Sequence, residues 1–180
     1  MVILQHPRER RNPIGTAWMA GLSLVNSELH GGVALDDDPR VARALGDPEA
    51  PAVLLYPGPA AEPLGSLDRG ARHTLVVIDG TWAQARTLFR DTRSLHGLRR
   101  VRLEPARPSE YRIRAQPRPE CVSTIEALYL ALRDLEGDEI DVEPLLAPFR
   151  AMVQMQIDSE RVRRELRLPE RVPRAIGDRR

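Results

Sequence analysis

The sequence predicts an α/β fold in which a mostly parallel sheet lies between helices. Apolar, β-branched runs alternate along the chain with segments of helical apolar spacing, a pattern typical of parallel sheets. The clearest run, residues 75–78, leads through a turn on Gly80 directly into a helix. The 180 residues suffice for one domain with a full core. We therefore expect a single domain over residues 1–168 and a basic, flexible tail over residues 169–180.

Strands are predicted where apolar residues run together and turn residues follow. The second predicted strand is interrupted by Gly31 and Gly32, and the third ends at the turn that begins with Pro57. In chain order, the predicted strands are residues 1–4, 29–35, 52–56, 75–78 and 100–103.

Helices are predicted from apolar residues that recur three and four positions apart. Asn12 and Pro13 offer a cap and a first-turn proline to the first helix. Between the last strand and the fourth helix, residues 105–119 form an arginine-rich loop with four prolines, and loops of that length are often functional. In chain order, the predicted helices are residues 12–26, 40–45, 82–93, 124–135 and 142 into the 160s.

All 27 basic residues are arginine, and they are distributed unevenly. Ten lie between residues 86 and 118, and eight lie between residues 161 and 180, whereas acids gather at residues 36–38 and 134–143. A chain with a net charge of +1 can therefore still present a basic face. Guanidinium binds phosphate through paired hydrogen bonds, so nucleic acid is a natural partner. The alternative is an arginine-rich composition with an ordinary solvated surface.

The composition argues against metal binding and against membrane association. Cys121 is the one cysteine, and the four histidines lack metal-ligand spacing, so we predict no disulfide and no metal site. No apolar run approaches the roughly 18 residues of a membrane span. The short apolar run at residues 1–4 is soon followed by His6, Arg8 and Glu9, unlike in a signal peptide. We expect a cytoplasmic protein.

Two polar motifs lie where a binding site is expected. Asp79 and Trp82 follow the clearest strand, and ligands bind at the carboxyl ends of strands in open α/β sheets. The structural alternative is that Asp79 or Thr81 caps the helix and Trp82 lies in the core. The second motif, Ser123 with Glu126, has the spacing of a capping box. The same helix N-terminus also suits a carboxylate or a phosphate.

Together these segments resemble the DTW-domain family of tRNA-uridine aminocarboxypropyltransferases. The motif that names the family is found at residues 79–82 (DGTW) and continues with Ala85 and Arg86. The match extends from about residue 2 to the helix at residues 149–156. The other matching segments follow in the family's order, at residues 4–9 (LQHPRE), 54–58 (LLYPG), 111–114 (YRIR) and 123–127 (STIEA).

The resemblance implies a SPOUT-like fold whose chain is knotted near the cofactor site, an exception to unknotted topology. It implies transfer of the 3-amino-3-carboxypropyl group of S-adenosylmethionine to N3 of a tRNA uridine, with release of 5′-methylthioadenosine. The alternatives are a SPOUT-type RNA methyltransferase and a non-catalytic RNA-binding protein, and ribosomal RNA is a less favoured substrate. Family members commonly carry a cysteine-rich, zinc-ribbon-like segment before the position of Leu4, and this sequence begins at Met1 without it. We expect this departure to affect tRNA affinity and the choice of uridine more than the core chemistry.

The resemblance also implies roles for individual residues. Asp79 would accept the N3 proton or orient the cofactor, and Trp82 would shield the methyl group and face the sulfonium. Ser123 and Thr124 would receive the carboxylate of the transferred arm, while Glu126 would contact its amino group or cap the helix. The remaining cofactor-binding residues are expected in two turns, at Tyr56, Pro57, Gly58, Gly80 and Thr81. The expected phosphate ligands for tRNA are Arg8, Arg86, Arg112 and Arg114.

Overall fold

A computed structural model describes residues 1–12, 14–105, 107–113, 121–137 and 140–166. Within these ranges the chain forms six strands and five α-helices. In chain order, they are β1 (Val2–Gln5), α1 (Thr16–Ser23), β2 (Glu28–Gly31), α2 (Pro39–Leu45), β3 (Ala52–Leu55), β4 (Glu62–Pro63), β5 (Thr74–Asp79), α3 (Trp82–Asp91), β6 (Arg99–Arg102), α4 (Thr124–Glu136) and α5 (Ala147–Glu165). None of the helices described is long and apolar enough to cross a bilayer.

The strands form one sheet in the order β2-β1-β5-β3-β6-β4, and every neighbouring pair is parallel. This arrangement confirms the predicted α/β class with a parallel sheet. The knotted SPOUT topology stays a prediction. The predicted tail, residues 169–180, lies outside the described residues.

Both faces of the sheet are buried, as is typical of parallel sheets. Side chains on one face, such as Ile3 and Val77, pack in a core with residues of α1, α4 and α5, including the fully buried Phe149. Their sequence neighbours, such as Leu4 and Val76, pack on the other face with residues of α2 and α3. The alternation follows from the two-residue period of a strand.

The chain leaves β1 and β5 toward opposite faces of the sheet. Ala17 and Ala20 of α1, which follows β1, belong to one core, whereas Leu88 of α3, which follows β5, belongs to the other. Two adjacent parallel strands whose connections diverge in this way form a topological switch point, and ligands bind outside their carboxyl ends. Gln5 and Asp79 end these two strands in register. The fold therefore places these two polar side chains at the position favoured for a site.

Most predicted elements are observed within a few residues of their expected bounds. The exceptions are the first and fifth helices, the second strand and the unpredicted β4. The fifth helix, α5, begins at Ala147, because a 3-10 helix occupies Glu143–Leu146 before it. The first helix begins at Thr16, because the Asn12 side chain instead accepts a hydrogen bond from the Ile14 N–H, at 3.2 Å, in the turn before the helix. The second strand ends at Gly31, where the chain leaves the sheet. β4 was not predicted, since a two-residue exposed edge strand has no apolar pattern to identify it.

Candidate active site

Asp79 connects three segments that are distant in the sequence. Its side chain is 7% exposed, and its carboxylate accepts a hydrogen bond from Gln5 Nε2 at 3.0 Å and another from Thr124 Oγ1 at 2.6 Å. The His6 N–H donates to the Asp79 carbonyl oxygen at 3.0 Å. The ends of β1 and β5 and the first residue of α4 therefore meet at one carboxylate.

The two predicted motifs are thus parts of one site. Asp79 and Thr124 are 45 residues apart in the chain, yet their side chains are hydrogen-bonded. Thr124 opens α4, so the positive end of that helix dipole lies beside the carboxylate. The first turn of a helix has N–H groups without partners inside the helix, and these groups suit an anionic ligand.

Thr81, and not Asp79, caps α3. The Thr81 hydroxyl oxygen accepts a hydrogen bond from the Gln84 N–H at 3.3 Å, and Gln84 Oε1 accepts one from the Thr81 N–H at 2.6 Å. The structural alternative is therefore right for Thr81 and wrong for Asp79, whose carboxylate contacts Gln5 and Thr124 instead. It is also wrong for Trp82, which is 41% exposed rather than in the core.

Gly80 turns the chain sharply between β5 and α3. Its φ of +154° lies in a region that L side chains rarely adopt. A Cβ added there would lie 3.0 Å from Gln84 Cβ, and 3.4 Å from His6 Cβ on the neighbouring segment. The close approach of these two segments places the Thr81–Gln84 cap next to the end of β1.

Replacing Gly80 with alanine is expected to lower the free energy of unfolding by about 1–3 kcal/mol, because of the backbone strain and the contact with Gln84. Urea unfolding measures the change. Gly97→Ala is the matched control, since a Cβ at Gly97 would meet no atom within 4 Å and its φ is not in the positive range. Equal stability of the two variants would contradict this account of the turn.

Glu126 joins the α4 N-terminus to the loop after β6. The side chain is 5% exposed and completes the predicted capping box, with its carboxylate accepting from the Ser123 N–H at 2.8 Å and from Ser123 Oγ at 2.6 Å. It also accepts hydrogen bonds from Ser109 Oγ at 2.7 Å and from the Glu110 N–H at 2.6 Å. The predicted cap is confirmed. Glu126 also attaches the loop after β6 to α4, a role that the Ser123–Glu126 spacing in the sequence does not reveal.

The turn after β3 lies next to β5 at the same edge of the sheet. The Tyr56 ring is stacked on Phe89 of α3, with centroids 4.9 Å apart and planes inclined by 12°. Burial raises the pKa of Tyr56, while the charges of Arg86 and Arg100 act in the opposite direction. Pro57 is exposed, and Gly58, which is half-buried, follows it.

The expected phosphate ligands lie at separate positions around this edge. Arg8 is exposed just after β1, and Arg86 is exposed one turn beyond Trp82 on α3. Arg112, also exposed, lines a cavity of about 290 Å³ together with the ion pair of Glu110 and Arg150, whose side chains are 2.8 Å apart. The Arg150 guanidinium holds the pKa of Glu110 below its usual value. Arg114 lies outside the described residues.

Gln5 is the site residue that the sequence analysis missed. It is 4% exposed, and its amide group donates to Asp79. The signals in the sequence are a polar residue at the end of an apolar strand and its place in the matching segment LQHPRE. Neither shows its partner, which lies 74 residues away on a different strand. The described residues contain no group of three or more His, Cys, Asp or Glu side chains arranged to hold a metal ion.

The fold and the site define an α/β protein whose polar centre lies at a topological switch point. The DTW domain model matches residues 1–157, and the chain belongs to that family. The tRNA-uridine aminocarboxypropyltransferase 2 of Drosophila melanogaster is 34% identical over 99% of this chain and 74% of its own length. Proteins of the same name from Mus musculus and Macaca fascicularis are 30% and 29% identical, and each alignment covers 87% of this chain and 54% of the relative. The chain thus spans about half the length of the two mammalian proteins. No solved structure gives a significant match.

Proposed function

We propose that this protein transfers the 3-amino-3-carboxypropyl group of S-adenosylmethionine to N3 of a tRNA uridine. The observation that carries the proposal is the hydrogen bond between Asp79 and Thr124, because it unites the DTW motif with the α4 N-terminus at the switch point. The relatives are named for this transfer to tRNA uridine, and the chain aligns with the fly protein over 99% of its length.

Three features support binding of a donor that has a carboxylate, a sulfonium and an adenosine. The first turn of α4, at Ser123 and Thr124, suits the carboxylate. The half-exposed indole of Trp82 offers a π face to the sulfonium. The Pro57–Gly58 turn at the end of β3 allows close backbone approach to adenosine. When bound, S-adenosylmethionine supplies an alkyl group on a positively charged sulfur.

In the proposed reaction, the bond from N3 to the γ-carbon forms as the carbon–sulfur bond breaks. The electron pair of the broken bond stays with sulfur, and the N3 proton passes to a base. We assign the base role to Asp79, because its carboxylate ends β5 at the switch point, where a bound ligand would meet it. Trp82 is assigned to favour the γ-carbon over the methyl carbon by orienting the donor.

Glu126 is assigned to hold the site together and not to contact the donor amino group. Its carboxylate already accepts four hydrogen bonds from Ser109, Glu110 and Ser123. These bonds keep the loop that carries Arg112 against α4. For the tRNA backbone we propose Arg8, Arg86, Arg112 and Arg114 as phosphate ligands, with binding that weakens as salt concentration rises.

The test is to incubate the protein with S-adenosylmethionine and unmodified tRNA transcripts, digest the RNA and identify the modified nucleoside by mass spectrometry. We expect an aminocarboxypropyl adduct of uridine and release of 5′-methylthioadenosine. A methyl adduct with S-adenosylhomocysteine would instead identify a methyltransferase. If calorimetry detects no binding at millimolar S-adenosylmethionine, the result would favour a non-catalytic RNA-binding protein. Ribosomal RNA fragments in parallel reactions test the choice of RNA.

A further inference from the structure

An aromatic platform lies beside the site, where the end of β3 packs against α3. It consists of Tyr56, Phe89 and His96. The Tyr56 and Phe89 rings are stacked, and the His96 ring lies 5.0 Å from Phe89 at a tilt of 48°. The Arg100 guanidinium carbon is 5.8 Å from the Phe89 centroid. A half-buried guanidinium supported by an aromatic ring loses little freedom when it binds a ligand.

The platform is continuous with the proposed reaction centre. Trp82 and Arg86 are four residues apart on α3, and Phe89 follows three residues later, so the three share one side of the helix. Arg86 is exposed, and both Arg86 and Arg100 act electrostatically on the Tyr56 hydroxyl. A strip of positive charge and aromatic surface therefore runs from Trp82 to Arg100.

Within the described residues, Arg86 and Arg100 lack the carboxylate partner that Arg90 and Arg99, their neighbours in the sequence, each have. Arg90 forms an ion pair with Asp91 at 2.6 Å, and Arg99 forms one with Glu62 at 2.6 Å. Neither Arg86 nor Arg100 has a carboxylate within ion-pair distance in the described part of the chain. Their charges are available to an anionic partner.

We infer that Arg86 and Arg100 bind phosphates of the single-stranded RNA segment that leads to the target uridine at Trp82. The inference rests on the proposed function and adds the side from which the RNA reaches the site. Single-stranded nucleic acid binds to positive grooves interleaved with aromatic side chains, and this strip combines both. An acidic polypeptide shares the charge of RNA but has no base to stack on the exposed Trp82 ring, so RNA fits the strip better.

The experiment measures the affinity of unmodified tRNA transcript at several salt concentrations for Arg86→Gln, Arg100→Gln and the double variant. Each substitution is expected to weaken binding several-fold and to reduce the slope of log K against log salt by about 0.7–0.9, as for the loss of one phosphate contact. Arg72→Gln is the matched control, because the exposed Arg72 lies just before β5 at the opposite end of the sheet. It should leave affinity and slope nearly unchanged. Thermal unfolding checks that each variant is folded. Because Arg86 is exposed, the affinity of Arg86→Gln is not affected by any change in packing that replacing the half-buried Arg100 could cause.

The outcomes separate the inference from the proposed function. If the wild type binds and modifies tRNA but the double variant matches Arg72→Gln, the inference is overturned and the proposed function stands. If the wild type binds no tRNA even at low salt, both are overturned. If poly-glutamate displaces the tRNA as effectively as oligouridylate at equal charge, RNA is not the specific partner of the strip.

Discussion

Replacing Asp79 with asparagine is expected to lower kcat for transfer by roughly 10²–10⁴-fold, the usual contribution of a general base. Asparagine has nearly the same shape and still accepts a hydrogen bond from Thr124. Rotation of the Gln5 amide can restore the bond on the other side, so folding should persist. The affinity for S-adenosylmethionine, measured by calorimetry, should change only a few-fold.

Variants of the two hydrogen-bond partners of Asp79 show whether Asp79 acts as a general base or only positions α4. Thr124→Val and Gln5→Leu each remove one hydrogen bond and leave the carboxylate in place. If Asp79 is the base, both variants keep much of the rate, whereas Asp79→Asn loses it. The base role is refuted if Asp79→Asn is nearly as active as wild type while Asp79→Ala is inactive and less stable.

Replacing Glu126 with alanine is expected to lower the free energy of unfolding by roughly 1–3 kcal/mol, because partly buried hydrogen bonds from Ser109, Glu110 and Ser123 lose their acceptor and α4 loses its cap. Urea unfolding measures this change. The control is Glu136→Ala on the same helix, where the side chain is exposed. Its stability should stay within about 0.5 kcal/mol of the wild type.

The Glu126 result also decides between its two predicted roles. If the carboxylate holds the loop to α4, Glu126→Ala loses stability even without S-adenosylmethionine present, and Glu126→Gln loses less because it keeps one acceptor oxygen. If the carboxylate contacts the donor amino group instead, the alanine variant keeps its stability and loses affinity for S-adenosylmethionine alone.

The site depends on three segments that are held rigidly for different reasons. β1 and β5 are fixed by their parallel register, and α4 is fixed by its packing on α1 and on the sheet. Gly80 permits the turn that brings α3 close to the end of β1. Substitutions that shift the backbone without removing a reacting group, such as Gly80→Ala, should therefore reduce activity through geometry, since small displacements of positioned groups lower rates strongly.

Much of the fold was predictable because its signals are local. The β-branched run before Asp79 and the apolar spacing of α4 each arise from neighbouring residues, so the strand–turn–helix and the parallel sheet follow from periodicity. The Ser123–Glu126 cap was predictable for the same reason, since both residues lie in one helical turn. The short strand β4 was not predictable, because its pairing depends on β6 and not on its own residues.

The sequence by itself determined where the helices and the longer strands form, where two polar motifs lie and which family the chain resembles. Only the tertiary structure decided that these motifs meet, since the contacts of Asp79 with Thr124 and with Gln5 span 45 and 74 residues. Such contacts depend on the order of strands in the sheet and on which face each connection covers. Local propensity does not encode either of these, because many strand orders bury the same apolar residues equally well.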